Sequence, residues 1–276
     1  MYKYLLTSTL VIYKERPEIL RMAIDSFLNT DLRIKLYLID NSPTDILRNI
    51  ILDERVEYIF NPINPGFGSG HNIGIKLVKF DSKYHLILNP DIYFKKGVIE
   101  QLIDFIEADE KKIGVLMPKI LYPNGKIQYL AKLLPTPLDF IVRRVVPIPY
   151  IKKQKNKVFE LHSSGYDKIM DVPFLSGCFL LFRTDVLQKV KGFDEKIFMY
   201  TEDIDICRRV NKLGYRSIFY PSTCVYHAHI EKPIVNFRTF RIYLNSAIYY
   251  FNKWGWFWDR ERVMINKRTL KQINTF

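Results

Sequence analysis

The stretch FMYTEDIDICRR, residues 198–209, sets Glu202, Asp203 and Asp205 within four positions, directly after an apolar aromatic run. Thr201 suits a helix N-cap and acids suit the first turn, so helix initiation alone accounts for part of the pattern. At about 100° per residue, Glu202 and Asp205 share a face, whereas Asp203 and Asp205 point apart. Asp205 lies within reach of Arg208 or Arg209 at i+3 or i+4, which predicts a structural role. Glu202 and Asp203 are left at the helix start, facing whatever the aromatic residues border. A carboxylate against such a surface is desolvated, and its pKa rises towards that of a useful general base.

Three other stretches carry chemistry-capable residues. NPINPGFGSGHNIG (61–74) approaches a dinucleotide fingerprint but fails it, because position 71 is His and the loop follows a third strand rather than a first. It reads either as a plain strand-to-helix turn or as a glycine-rich turn around a nucleotide, with Asn64 and Asn72 as hydrogen-bonders. LILNPDIYF (86–94) ends an apolar strand at Asn89-Pro90 and presents Asp91 at the sheet mouth. A hard divalent cation takes oxygen ligands and is often held by one or two carboxylates plus substrate phosphates. A simple Asn-Pro-Asp turn fits equally. In YPSTCVYHAHI (220–230), His227 and His229 fall on one face of an extended strand, with no HExxH or cysteine cluster to make a dedicated zinc centre.

The elements that must position these residues alternate. Strands are predicted at 5–13, 34–40, 56–60 and 84–89, with helices opening at ERPEIL, after Thr44, over 66–80 and over 97–109. The strands are apolar throughout, as in a parallel sheet covered on both faces. Ligands bind beyond the carboxyl ends of such strands, where Asp40, the loop from Asn64 and Asp91 all fall. Residues 132–170 read as an irregular surface segment, with a basic run through Arg143, Arg144, Lys152, Lys153, Lys155 and Lys157. A strand-like run at 172–183, a short helix capped by Thr184, a helix over 202–213 and two short strands, RSIFYP and TCVYHAH, follow. The tail from 233 is basic and aromatic together.

The chain has 42 Lys and Arg against 29 Asp and Glu, a surplus of +13 that favours an anionic partner. Three separated cysteines, Cys178, Cys207 and Cys224, make no disulfide framework and suit a reducing compartment. The N-terminal apolar run is too short to span a membrane and lacks a cleavage site, which predicts a cytoplasmic protein.

Taken in order, these pieces resemble the family 2 glycosyltransferases, the inverting GT-A class, and within it the rhamnosyltransferase-like branch. LYLIDNSPTD, NPINPGFGSGHNIGI, LILNPDIYF and the long run from FLSGCFLLFR through FMYTEDIDICRR to VYHAH carry the likeness, over about residues 5–260. It implies an α/β GT-A (Rossmann-like) domain over 1–232, with a mixed, mainly parallel sheet flanked by helices, and a helical extension over 233–276. It implies a nucleotide-sugar donor, a divalent cation (Mn2+ or Mg2+) and a saccharide acceptor, often lipid-linked. Asp40 would contact the nucleoside, and Asn64, Gly66 and Asn72 would line the nucleotide pocket. Tyr13, Asn41, Gly70 and Asn89 join the donor side, and Ser176 and Gly177 the acceptor side. Asp91 would bind the metal with His227 as second ligand, Asp203 would be the base, and Glu202 would orient the acceptor. Two departures stand out: the acidic motif has a single carboxylate, and the first strand ends LVIYKERPE, where only Tyr13 carries over.

The expected activity is inverting transfer of one sugar, with dTDP-rhamnose a candidate donor. The alternative is a catalytically weak sugar-nucleotide-binding subunit of a glycan-assembly complex. Nucleic acid is not an expected partner, since the basic residues form no recognition helix or aromatic RNP strand. Trp254, Trp256, Phe257 and Trp258 with Lys253, Arg260 and Arg262 form a candidate patch for an anionic membrane, against the plain alternative of a packed C-terminal helix. That patch predicts a peripheral location on the inner face of the plasma membrane. Nothing in the residues sets an oligomeric state.

Overall fold

The computed structural model describes residues 2–50, 52–79, 81–109, 112–144, 157–228 and 237–275. Its centre is a sheet whose apolar strands are buried on both faces. The strands are β1 (Tyr4–Ile12), β2 (Ile34–Asp40), β3 (Val56–Phe60), β4 (Ser82–Leu88), β5 (Ile92–Tyr93), β6 (Ile113–Leu121), β7 (Ala131–Lys132), β8 (Met170–Asp171), β9 (Phe174–Leu175), β10 (Phe179–Arg183) and β11 (Arg216–His227). In space they run β3-β2-β1-β4-β10-β6-β11-β5, with β8 paired to β11 and a separate β7-β9 ribbon. β3, β2, β1 and β4 are mutually parallel. β10 is antiparallel to both β4 and β6, and β11 is parallel to β6. Two reversals restore direction, so β1, β2, β4, β6 and β11 all end on one rim. This is the GT-A α/β arrangement: mixed, mainly parallel, flanked by helices.

The helix Pro17–Leu28 buries Leu20, Ala23, Ile24 and Phe27, and Val98–Ala108 buries Ile99, Leu102, Ile103 and Ile106. Both stripes recur at helical spacing, and Pro17 sits in a first turn where no N–H is needed. Phe67–Val78 is a different kind of helix. Gly70 and Gly74 let it lie directly on β1 and the end of β2: a Cβ on Gly74 would sit 2.3 Å from Thr9 Oγ1, and one on Gly70 2.8 Å from Asn41 Nδ2.

Several expectations are corrected. The chain after Thr44 forms turns, not a helix. The 172–183 run divides at Ser176-Gly177-Cys178 into β9 and β10, which belong to different sheets. The two strands expected within 216–227 are one strand, with a register irregularity between Tyr220 and Cys224, around Pro221. β6, in the sheet interior, had not been anticipated. Thr201 and Thr184 make no side-chain cap; the Thr201 hydroxyl instead donates to the Ser246 carbonyl at 3.2 Å. The 132–170 segment is not all surface. Phe159, Leu161 and Tyr166 are buried, and Pro137–Arg144 is helical. Lys152, Lys153 and Lys155 lie outside the described residues, as do the side chains of Arg143 and Arg144.

The aromatic tail is also redistributed. Helices Phe237–Trp254 and Arg260–Asn274 pack on the domain and bury Tyr243, Ala247, Tyr250 and Phe251. Trp254 Nε1 donates to Asp205 at 2.8 Å, and Lys253 pairs with Asp194 and Asp205, each at 2.7 Å. Arg262 is buried and bonds the carbonyls of Pro135, Gly255 and Trp256. Arg262 is therefore an internal tie and Trp254 a half-buried one, while Lys253 stays exposed but is paired, and Trp256 and Arg260 are exposed. Phe257 and Trp258 do face outward. No helix among the described residues is long and apolar enough to cross a membrane.

Candidate active site

The rim where the parallel strands end collects the singled-out residues. Asp203 opens the helix Glu202–Lys212 and lies against the turn between β9 and β10: Gly177 N–H donates to its Oδ2 at 3.1 Å and Ile204 N–H to its Oδ1 at 2.9 Å. A Cβ on Gly177 would sit 3.3 Å from both the Asp203 Cβ and the Phe67 ring, so a glycine keeps this corner tight. The next residue, Cys178, accepts from Asn89 N–H at 2.9 Å, which places the Asn-Pro-Asp turn on its other side. Burial pushes the Cys178 thiol up to about 12, and the charges of both Asp91 and Asp203 add to the rise. Ser176-Gly177-Cys178 thus ties Asp203 and the Asn-Pro-Asp turn to one short segment.

Burial raises the pKa of Asp203 above the usual carboxylate range, against the opposing pull of its N–H donors and the Lys132 charge. Glu202 is also raised, first by burial and then by Asp203. Backbone N–H groups of Glu202, Thr201 and Tyr200 stabilise its charged form, while Oε2 is buried with no hydrogen-bond partner among the described residues. Glu202 thus braces the turn before the helix, where Tyr200 holds a φ of +86°. Glu202 is 6% exposed there. Asp205 is fully buried and takes Arg209 Nε at 2.8 Å, the structural role its spacing predicts.

Asp91 and His227 meet. His227 Nε2 lies 3.1 Å from Asp91 Oδ1, and Ala228 N–H donates to the Asp91 carbonyl at 2.9 Å. On the far side of the ring, Nδ1 lies 2.9 Å from Gln128 Oε1. Two ligands at right angles on an octahedral ion, each at about 2.1 Å, stand about 3 Å apart. The pair therefore fits two positions of such an ion and leaves the rest to substrate and water. No group of three or more His, Cys, Asp or Glu that could hold a metal is found among the described residues. His229 lies outside them.

The donor-side residues divide into exposed and buried. Tyr13 is 47% exposed at the end of β1. Asn89 and Asn64 are half-buried, and Asn64 Oδ1 accepts from Gly66 N–H at 3.1 Å. Asp40 has no exposed surface; its oxygens accept from Ser42 N–H at 2.8 Å and Tyr58 O–H at 2.6 Å. Asn41 is equally buried and accepts from Asn61 Nδ2 at 2.7 Å. Asn72 bonds across to the loop at Phe193. Its amide donates to Phe193 O and Glu195 and accepts from Phe193 N–H at 2.8 Å, clamping the loop ahead of the acidic helix. Gly66, with φ +99°, allows backbone contact with the FMY segment: Phe67 N–H donates to Phe198 O at 3.0 Å. The glycine-rich stretch is thus a packing surface joining the donor-side loop to the acidic turn.

Two residues at the site drew no notice in the sequence. Gln128 holds His227, and Lys132 on β7 sends its charge to Asp203 and Cys178. Neither belongs to a motif of its own.

Comparison with known proteins shows the family. A model of "Glycosyl transferase family 2" matches residues 8–191, and one of "Glycosyl transferase family group 2" matches 155–258. The chain is 28% identical over 244 residues to rhamnosyltransferase WbbL of Escherichia coli (strain K12), covering 86% of each. It is 26% identical over 228 residues to an N-acetylglucosaminyl-diphospho-decaprenol L-rhamnosyltransferase of Mycobacterium tuberculosis, covering 79% of this chain and 74% of that one. Among solved structures, GalNAc-T7 with UDP, GalNAc and Mn2+ superposes with a TM-score of 0.63 at 16% identity, over 84% of this chain. A mannosyltransferase from Pyrobaculum calidifontis in complex with GDP-Man and Mn2+ gives 0.56 at 14% identity, over 88% of this chain. This chain spans 45% and 61% of those two, which share its fold. With two thirds of its length under one family model and its strand-end carboxylates on a common rim, the chain belongs to glycosyl transferase family 2.

Proposed function

We propose that the protein transfers one sugar, with inversion, from a nucleoside-diphosphate donor to a hydroxyl of a saccharide acceptor, with Asp203 as the base. One observation supports this reading: Asp203 and the Asn-Pro-Asp turn that carries Asp91 are bonded to neighbouring residues, Gly177 and Cys178, of the same β9–β10 turn. In a single displacement the acceptor oxygen attacks the anomeric carbon from the face opposite the diphosphate. Its proton passes to the Asp203 carboxylate, the sugar–phosphate bond breaks, and its electron pair leaves with the diphosphate. Desolvation tunes Asp203 for this task, and the Gly177 and Ile204 N–H groups hold it in place. Asp91 and His227 would hold a divalent cation, which when bound supplies positive charge to the leaving diphosphate. Tyr13, Asn64 and Asn89 are the exposed or half-buried candidates for donor contact, with Asp40, Asn41 and Asn72 shaping the loops from behind.

The names of the two curated relatives support rhamnose as the sugar, and that of the mycobacterial one supports a lipid-linked diphosphosaccharide as the acceptor. A membrane-borne acceptor suits the outward stripe of helix Phe237–Trp254, where Phe237, Phe240, Leu244 and Ile248 are exposed beside Arg238 and Arg241. Flotation with anionic liposomes at low salt is expected to carry the protein upward; a protein that stays at the bottom removes the membrane element. The activity itself is tested by thermal shift and transfer assays across dTDP-, UDP- and GDP-sugars with Mn2+. A donor at about a hundred times its Kd contributes about 2.7 kcal/mol, a shift of several degrees. If no nucleotide sugar raises Tm or is turned over, the proposal fails.

A further inference from the structure

Gln128 has no ionisable group, yet it is buried and meets His227 twice. Its Nε2 donates to the His227 carbonyl at 2.9 Å, and its Oε1 lies 2.9 Å from His227 Nδ1. A backbone carbonyl can only accept, so the amide nitrogen must face it and the amide oxygen must face the ring. An amide oxygen also only accepts, so Nδ1 must carry the hydrogen. Nε2 is then the nitrogen left for Asp91, whose Oδ1 lies 3.1 Å away; that carboxylate oxygen also accepts, so the space between them takes a hydrogen on Nε2 or a cation in its place. Reversing the amide would set two acceptors against each other at the backbone.

Gln128 is itself held firmly. Its N–H donates to the Ile120 carbonyl at 2.9 Å, and Leu121 bridges Ile127 across a turn closed by Tyr122 N–H to Lys126 O at 2.8 Å. The carbonyl it bonds belongs to His227, which pairs with Ile92 next to Asp91. The residue therefore registers the ring against the strand that delivers the carboxylate.

We propose that Gln128 is a positioning residue that fixes His227 as the Nδ1–H tautomer and presents Nε2, beside Asp91, as a ready ligand for a divalent cation. This deepens the metal reading given above and rests on it. A ligating histidine whose remote N–H is left unpartnered loses both its tautomer and its ring orientation, at a cost of roughly 10–100-fold in metal affinity.

Two measurements on the full chain separate the outcomes. The first is a long-range 1H–15N spectrum of the metal-free wild type at pH 8, with His227 assigned by its loss in His227→Asn. A pyrrole-like Nδ1 is expected in the wild type, whether or not Nε2 also carries a hydrogen towards Asp91, and a mixture of tautomers in Gln128→Leu; a wild type whose only ring hydrogen is on Nε2 overturns the proposal. The second is Mn2+ binding followed by electron paramagnetic resonance, with dTDP present. Gln128→Leu and Gln128→Met are expected to weaken it about 10–100-fold, with Asp91→Asn as the control for the metal seat. If Asp91→Asn weakens binding and both Gln128 variants match wild type within twofold, Gln128 has no positioning role. If the wild type itself binds no Mn2+, the cation half falls with the metal reading, and the tautomer spectrum decides the rest.

Discussion

Arg208 lies on the helix Glu202–Lys212, and it is the largest fully buried side chain among the described residues. Its guanidinium meets Asp259 in a fork, Nη1 to Oδ2 at 2.7 Å and Nη2 to Oδ1 at 2.8 Å. It also stacks over the Trp254 ring at 4.3 Å. Asp259 caps the last helix as well, accepting from Arg262 N–H at 2.9 Å. Asp259→Ala therefore leaves Arg208 buried without its main counter-charge beside a second buried arginine, Arg262, and removes a helix cap. Breaking one partner of a buried pair costs about 3–5 kcal/mol, and losing the cap about 1 kcal/mol more. Arg208 also touches Glu261 at 3.1 Å, but that carboxylate is 39% exposed, and Glu261→Ala should cost less than about 1 kcal/mol. Urea denaturation of Asp259→Ala, Arg208→Met and the double variant measures this. The double variant is expected to be more stable than the sum of the single costs implies, by at least about 2 kcal/mol, because it leaves no unpaired charge on Arg208. An Asp259→Ala cost below about 1 kcal/mol, or simple additivity, refutes the view that the tail locks the acidic helix.

Two further outcomes follow from the site. Burial raises the Glu202 pKa in the folded state, so the folded protein holds its proton to higher pH than the unfolded chain. Stability is then lost as pH rises from the ordinary carboxylate range through the folded pKa, and Glu202→Gln should raise Tm at pH 9 but little at pH 4; equal shifts at both, or a loss at pH 9, contradict this. Gly66→Ala asks for a Cβ at φ +99°, 2.3 Å from the Phe198 carbonyl oxygen, with backbone on both sides of the clash. It should cost about 1–3 kcal/mol in urea and lower transfer by displacing the FMY turn; a variant with wild-type stability and rate shows that this contact does not position the acidic helix.

How much of this the sequence held depends on how far apart in the chain the partners lie. The helix at Glu202 and the Asp205–Arg209 pair were legible because their determinants are local, within one or two turns. The strand ends at Asp40 and Asp91 were legible because apolar runs stop there. The clamp of Asn72 on Phe193 was not legible, because its partner lies 121 residues away and no spacing rule reports that. Gln128 went unnoticed for the same reason, its partner lying 99 residues on. Glu202 and Asp203 look alike as neighbours, but one curls onto the backbone of its own turn and the other reaches Gly177, a difference set by packing. The tail aromatics were correctly seen as unusual, and their division into inward and outward sets depended on Asp205 and Arg208 lying beneath them.

The central claim is that Asp203 and Asp91 serve opposite ends of one reaction. It is tested most directly by measuring donor affinity and transfer rate together in Asp203→Asn and Asp91→Asn. Asp203→Asn should bind the nucleotide sugar within about threefold of wild type while transfer falls about 10²–10⁴-fold, the usual worth of a general base. Asp91→Asn should lose donor binding and Mn2+ dependence. An Asp203→Asn enzyme that keeps its rate, or one that loses donor affinity to the same extent as Asp91→Asn, contradicts the account.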